Sequence, residues 1–67
     1  MARFQVTRNG RKEFIKNIDY ANETLAFTTN PSEAYQRPTG YYATAEKDFI
    51  SHHFAQAYPE VKKIVLA

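Results

Sequence analysis

The chain has 67 residues, of which 43% are hydrophobic, with no cysteine and a formal net charge of +2. This length allows a single small domain over residues 1–67, and the lack of cysteine excludes disulfides and thiolate metal sites. No apolar run approaches the ~20 residues that span a bilayer, and residues 1–10 lack the apolar segment of a signal peptide. We therefore expect a soluble cytoplasmic protein with no membrane partner.

The charge is unevenly distributed along the chain. Residues 1–16 contain five basic residues against Glu13 alone, a local balance of +4, whereas residues 17–60 have a balance of −4. Lys62 and Lys63 add positive charge close to the last residue. Such asymmetry affects steering and non-specific contacts and does not determine the fold.

The first predicted element is a β-hairpin. Phe4 and Val6 alternate with polar residues, which is the period of a half-buried strand. Asn9-Gly10 then supplies two residues that tolerate the positive φ angles of a type I′ turn. Residues 2–8 and 11–19 are therefore predicted to pair as antiparallel strands.

The second strand of this hairpin also alternates. Phe14, Lys16 and Ile18 fall on one face, where the aliphatic part of Lys16 is able to cover apolar neighbours. Ile15 falls on the opposite face. The alternation therefore predicts that Phe14 and Ile18 face the core and that Ile15 faces away from it.

A third strand and a short helix are predicted next. After a polar turn at residues 19–23, residues 24–29 alternate apolar residues with threonine, which suits a pleated surface. Asn30 then fits a helix N-cap, Pro31 the first helical position and Glu33 the carboxylate of a capping box. One or two helical turns are predicted, ending before the next proline.

The main helix is predicted over residues 42–57, with Pro59 marking its end. Apolar residues at three- and four-residue spacing predict one buried stripe, consisting of Tyr42, Ala45, Phe49, Ile50, His53, Phe54 and Ala57. Residues 61–67 are rich in β-forming residues and predict a terminal strand.

The element order β-β-β-α-β predicts an α+β fold. A three- to four-stranded antiparallel sheet is expected, covered on one face by a single amphipathic helix. The inward-facing apolar positions predict a core of Phe4, Val6, Phe14, Ile18, Leu25, Phe27, Phe49, Ile50, Phe54, Ile64 and Leu66.

The run FIKNID, followed by LAFTTNPSEAY and a single helix, resembles small uncharacterised accessory proteins of phages and prophages of Gram-positive bacteria. The resemblance covers about residues 4–55. It consists of a hairpin, a strand ending in Phe-Thr, a capped turn with Glu-Ala and one amphipathic helix, and residues 37–42 depart from it. The resemblance implies a phage-related context and no mechanism.

Catalytic and metal-binding residues are hard to assemble from this sequence. His52 and His53 are adjacent, so on a helix their side chains diverge by about 100°, whereas paired ligands on a helix are usually four residues apart. Ser51 is adjacent to His52 and turns away from it for the same reason. The acidic residues form no recognisable catalytic pair, so we expect no enzymatic activity, no metal and no cofactor.

A group of tyrosines around an arginine predicts a protein-contact site. Tyr35, Arg37, Tyr41 and Tyr42 lie close together in the sequence, and tyrosine and arginine are enriched at binding hot spots. The alternative, that Tyr35 and Tyr42 close the ends of a small core, stays open. The predicted function is a small non-catalytic binding or regulatory protein, phage-related, that acts through protein–protein contact.

The basic hairpin at residues 8–16 gives the alternative function, a nucleic-acid-binding module. Arg8, Arg11, Lys12 and Lys16 surround the turn; a two-stranded ribbon fits the major groove, and lysines neutralise phosphates. Hairpin tips are also commonly charged because the turn is solvated, and basic residues at sheet edges prevent aggregation.

The terminal strand leaves the choice between monomer and homodimer open. A strand at the edge of a sheet has unpaired backbone groups that are able to join the sheet of a second copy. Lys62 and Lys63 lie in that strand and oppose such pairing.

Overall fold

The computed structural model describes all 67 residues. Its strands are β1 (Ala2–Arg8), β2 (Arg11–Asp19), β3 (Thr24–Thr28), β4 (Gln36–Arg37) and β5 (Val65–Leu66). One α-helix, α1 (Tyr41–His53), and two 3₁₀ helices, Pro31–Glu33 and Pro59–Lys63, complete the chain. An antiparallel sheet with one α-helix is a small α+β fold, so the predicted fold class is confirmed.

The central strand of the curled sheet is β1. β2 pairs with the second half of β1, placing Gln5 opposite Phe14 and Arg8 opposite Arg11, and β3 pairs with β2. The two-residue strand β4 pairs with the start of β1, and β5 pairs with its middle. β1 therefore has hydrogen-bonded partners along its whole length and organises the rest of the sheet.

The turn between β1 and β2 has the predicted conformation. Asn9 and Gly10 have φ angles of 53° and 78°, both in the left-handed region that a type I′ turn requires. The turn after β2 is held by Asp19, whose carboxylate accepts hydrogen bonds from the backbone and side-chain nitrogens of Asn22 at 3.1 and 3.0 Å.

The face that β2 turns toward the core differs from the prediction. Residues 26 and 27 of β3 pair with Asn17 and Ile15, so Lys16 is an extra residue that forms a β-bulge. A bulge shifts the alternation of side chains by one residue. As a result Ile15 is fully buried while Phe14 is only half-buried on the other face, and the predicted facing of these two residues is wrong.

The short helix after β3 is reduced to a 3₁₀ helix of three residues. Asn30 caps it as predicted, because its side chain accepts a hydrogen bond from the backbone nitrogen of Ser32 at 3.0 Å. Glu33 does not close a capping box. Its carboxylate accepts the hydroxyl of Thr28 at 3.2 Å, and the same hydroxyl oxygen accepts the Asn30 N–H at 3.1 Å.

The buried face of α1 is rotated by about one residue from the predicted stripe. Ala43 and Ile50 are completely buried, and Phe54, the residue that caps the end of the helix, is nearly so. These positions are spaced by seven and four residues and lie along one side of a helix. The other five residues of the predicted stripe are exposed instead, so their assignment to it is wrong: Tyr42, Ala45, Phe49, His53 and Ala57.

The segment after α1 also differs from the prediction. The helix ends at His53 rather than at residue 57. Pro59 does not simply stop the helix: it occupies the first position of the second 3₁₀ helix, which suits its fixed φ angle. The predicted terminal strand over residues 61–67 therefore shrinks to β5. No helix in the structure is both long and apolar enough to cross a membrane.

The core lies between the sheet, α1 and the second 3₁₀ helix. Six of the predicted core residues are buried as expected: Phe4, Val6, Leu25, Ile50, Phe54 and Ile64. Three others, Ile18, Phe27 and Leu66, are partly buried and pack against this cluster. The sequence pattern missed the buried side chains Ala2, Ile15, Ala34, Ala43 and Val61.

Candidate functional site

The predicted contact group separates into two parts in the structure. Tyr35 and Arg37 belong to a partly buried polar cluster around Glu46 of α1. Tyr41 and Tyr42 lie in the first turn of α1 and are 79% and 71% exposed. The open question about Tyr42 is therefore answered by its exposure, while Tyr35 packs against the core.

The polar cluster is centred on the carboxylate of Glu46, whose side chain is only 9% exposed. One of its oxygens, Oε1, accepts hydrogen bonds from the Tyr35 hydroxyl at 2.8 Å and from Nη1 of Arg37 at 3.0 Å. The other oxygen, Oε2, accepts the hydroxyl of Tyr20. These bonds connect α1 to β4 and to the turn after β2, which fixes the position of the helix on the sheet.

The electrostatics of this cluster keep both tyrosines protonated. Burial raises the pKa of Tyr20, and its hydrogen bond to the Glu46 carboxylate raises that pKa further. The same two causes, in the same order, raise the pKa of Tyr35. The hydrogen bond to Glu46 also raises the pKa of Arg37. The cluster is thus a stable set of donors around one carboxylate, with a structural role.

An exposed aromatic surface runs along the adjacent side of α1. The rings of Tyr41 and Tyr42 meet edge to face with centroids 5.4 Å apart. Phe49, which is 45% exposed, stacks on His53 at 4.1 Å and meets Tyr20 edge to face at 5.8 Å. We call these five residues the aromatic face.

The helical geometry explains why this face forms. Residues seven and eleven positions apart differ by roughly 20° around a helix, so Tyr42, Phe49 and His53 lie nearly in line. The line of Ala43 and Ile50 lies about 100° away and is completely buried. The helix therefore has two apolar sides, one buried and one exposed. The sequence indicates the exposed side because the helix contains more apolar residues than a single buried side accommodates.

A groove lies beside the aromatic face, between α1 and the turn after β2. Its volume is about 190 Å³, and its lining residues are Tyr20, Ala21, Glu23, Phe49, His53 and Phe54. A second depression of about 260 Å³ shares three of these residues and extends toward Gln56 and Ala57. Glu23, at the rim, has a φ angle of 55°, which non-glycine residues rarely adopt.

The basic hairpin does not present its four predicted residues together. Arg8 forms ion pairs with Glu60 at 3.0 Å and with Glu13 at 3.3 Å, and its guanidinium lies 4.0 Å from the centre of the Phe27 ring. It is therefore occupied in holding β1, β2 and the second 3₁₀ helix together.

The other three basic residues lie apart from Arg8. Lys16 is 3.9 Å from the Glu33 carboxylate, an exposed and weak pair. Arg11 and Lys12 are exposed beside the turn. Only these last two residues form an open basic tip on the hairpin.

Ser51 and the adjacent histidines each have separate partners. The Ser51 hydroxyl donates to the backbone oxygen of Lys47 at 2.9 Å. Nδ1 of His52 lies 2.7 Å from the backbone oxygen of Asp48, and His53 stacks on Phe49. No group of three or more metal-binding side chains lies close enough together to hold a metal ion.

Comparisons of this chain with protein-family models, with curated proteins and with solved structures found no match. The aromatic face and its groove are therefore the features from which a function is inferred.

Proposed function

We propose that this chain is a small non-catalytic binding or regulatory protein that acts through contact with another protein. The aromatic face carries this proposal. Tyr41, Tyr42 and Phe49 expose aromatic area along a folded helix, and exposed apolar area on a small protein is typical of an interaction site. Aromatic residues are enriched at such sites because they bury a large area with few rotatable bonds.

The rigidity of α1 also supports this proposal. The helix is tied to the sheet through Glu46 on one side and through the buried side chains of Ala43 and Ile50 on another. The backbone that carries Tyr41 and Tyr42 is thus already ordered, and binding requires little further loss of conformational freedom. The resemblance to phage accessory proteins adds the proposal that the partner is a phage or host protein.

Nucleic-acid binding through the basic hairpin is the weaker candidate. Arg8 is committed to Glu13 and Glu60, which leaves Arg11 and Lys12 as the exposed cations of the tip. Two phosphate contacts supply much less affinity than the six to ten that typical DNA-binding proteins make.

The test is quantitative capture of a partner by the immobilised full chain from lysate of its native host. The double variant Tyr41→Ala, Tyr42→Ala is expected to lose the captured protein while keeping the circular dichroism spectrum and thermal transition of the wild type. The matched control is Arg11→Ala, Lys12→Ala, a double change at another exposed pair, which is expected to retain capture.

The opposite pattern contradicts the proposal. If the tyrosine variant captures the partner as well as the wild type does, the aromatic face is not the contact. If the hairpin variant alone loses binding, and gel-shift titrations show tight association with nucleic acid that weakens as salt rises, the alternative function is correct.

A further inference from the structure

We propose that the groove beside the aromatic face receives a positively charged side chain, arginine or lysine, from the partner protein. This inference rests on the proposed function and adds the chemistry of the partner to it. Two neighbouring features of the groove support it: an aromatic wall, and a carboxylate that no cation of this chain neutralises.

The walls of the groove are suited to a cation. Tyr20, Phe49, His53 and Phe54 line it, and Tyr20 meets both phenylalanines edge to face, at 5.8 and 5.9 Å. Aromatic rings attract lysine and arginine through the negative charge of their faces. The groove has a volume of about 190 Å³ and shares three lining residues with the second depression of about 260 Å³, which gives room for a long side chain such as arginine or lysine.

The charge at the rim is also uncompensated. Every other side-chain carboxylate except Asp19 forms an ion pair with lysine or arginine, and Asp19 is engaged by two hydrogen bonds from Asn22. Glu23 has neither kind of partner and lines both depressions. A partner that supplies a cation at this point therefore complements the surface without displacing an existing contact.

The experiment is a nuclear magnetic resonance titration of the ¹⁵N-labelled full chain at low salt with N-acetyl-arginine amide. We expect saturable shifts confined to the amides of Tyr20, Glu23, Phe49 and His53. N-acetyl-leucine amide, which has no charge, is expected to bind at least threefold more weakly. Glu23→Gln is expected to weaken binding of the arginine probe roughly three- to fivefold. Glu33→Gln, the control at a distant exposed carboxylate, is expected to leave that binding unchanged.

Three results overturn the proposal. The first is equal affinity for the arginine and leucine probes, which makes the groove an apolar site. The second is an affinity for the arginine probe that is the same in Glu23→Gln as in the wild type. The third is that the same amides shift on dilution of the chain alone, which shows that a second copy fills the groove. Because the probe requires no partner, its failure is separable from the capture test on Tyr41 and Tyr42, which addresses the contact itself.

Discussion

Glu46 is the residue on which the polar packing of the molecule depends most. Its carboxylate accepts hydrogen bonds from Tyr20, Tyr35 and Arg37, which come from the turn after β2 and from the segment around β4. A nearly buried carboxylate is stable only when its charge and its lone pairs are satisfied. Three donors satisfy it here, so a change at this position affects all of them at once.

The substitution Glu46→Gln is expected to lower the free energy of unfolding by about 1–3 kcal/mol. The amide removes the negative charge opposite Arg37 and places an N–H donor where an acceptor is needed. Urea unfolding at neutral pH measures the loss. Asp48→Asn, at an exposed carboxylate on the same helix, is the control and is expected to change stability by less than about 0.5 kcal/mol. Equal effects of the two changes contradict the role given to Glu46.

The tyrosines of this cluster predict a loss of stability at alkaline pH. The pKa values of Tyr20 and Tyr35 are raised in the folded protein, whereas tyrosine in an unfolded chain ionises near pH ~10. The stabilisation is therefore complete below about pH 10 and falls as pH rises toward the folded values, because the unfolded chain releases its protons first.

The comparison of wild type with Tyr20→Phe tests this pH dependence. Unfolding free energies at about pH 9 and about pH 11 are expected to decline less steeply in the variant, because it has one such tyrosine fewer. All other ionisable groups are the same in both proteins, so the comparison isolates the contribution of Tyr20. An identical decline in the two proteins is the contrary result.

Two residues with a local role, Asn9 and Asn30, were predictable from the sequence, and residues that act at a distance were not. Asn9-Gly10 specifies its turn through its own backbone preferences, and Asn30 caps the residues that follow it. The hydrogen bond between Tyr20 and Glu46 joins residues 26 positions apart. Only the folded chain brings those two side chains together, so no spacing rule identifies the cluster.

At the scale of elements, β2 shows how one extra residue changes a face. The bulge at Lys16 brings Ile15 into the core and turns Phe14 outward. Simple alternation cannot reveal this, because a pattern of two apolar residues in succession fits either facing. The partner strand β3 makes the choice through its pairing with β2.

A pair of variants measures this facing directly. Ile15→Ala removes a fully buried side chain and is expected to cost about 2–5 kcal/mol of unfolding free energy, the range for large-to-small changes in a core. Phe14→Ala removes more atoms from a half-buried position and is expected to cost less than Ile15→Ala does. Chemical denaturation of both proteins gives the order, and a larger loss in Phe14→Ala contradicts the bulged register.

The helix illustrates a second limit at this scale. The spacing of apolar residues correctly predicted a helix in this region, but it assigned Tyr42 and Phe49 to the same buried stripe as Ile50. The side of α1 that is buried instead carries Ala43, which has no side chain beyond Cβ and is completely buried. A periodicity weighted toward large side chains therefore selected the wrong side, and the exposed aromatic side is the one available for binding.

For the whole molecule, the element order determined the α+β class but not the end of the chain. Residues 61–67 have the composition of a strand, yet Pro59 starts a 3₁₀ helix that places Val61 in the core. The strand edge that was predicted to be available for pairing with a second copy is thus reduced to β5. The outer edge of β3 is also partly covered, because the Tyr58 hydroxyl accepts the Leu25 N–H at 3.1 Å. Tyr41, Tyr42 and Phe49 of the aromatic face remain exposed.

The division between buried and contact aromatics is tested most directly by hydroxyl-radical footprinting of the tyrosines, with and without the captured partner. In the free protein we expect Tyr41 and Tyr42 to be oxidised fastest and Tyr58, which packs against the core, to be protected. Addition of the partner is expected to protect Tyr41 and Tyr42 and to leave Tyr58 unchanged. Protection of Tyr41 and Tyr42 already in the free monomer, or oxidation rates that the partner leaves unaltered, would contradict a contact role for this face.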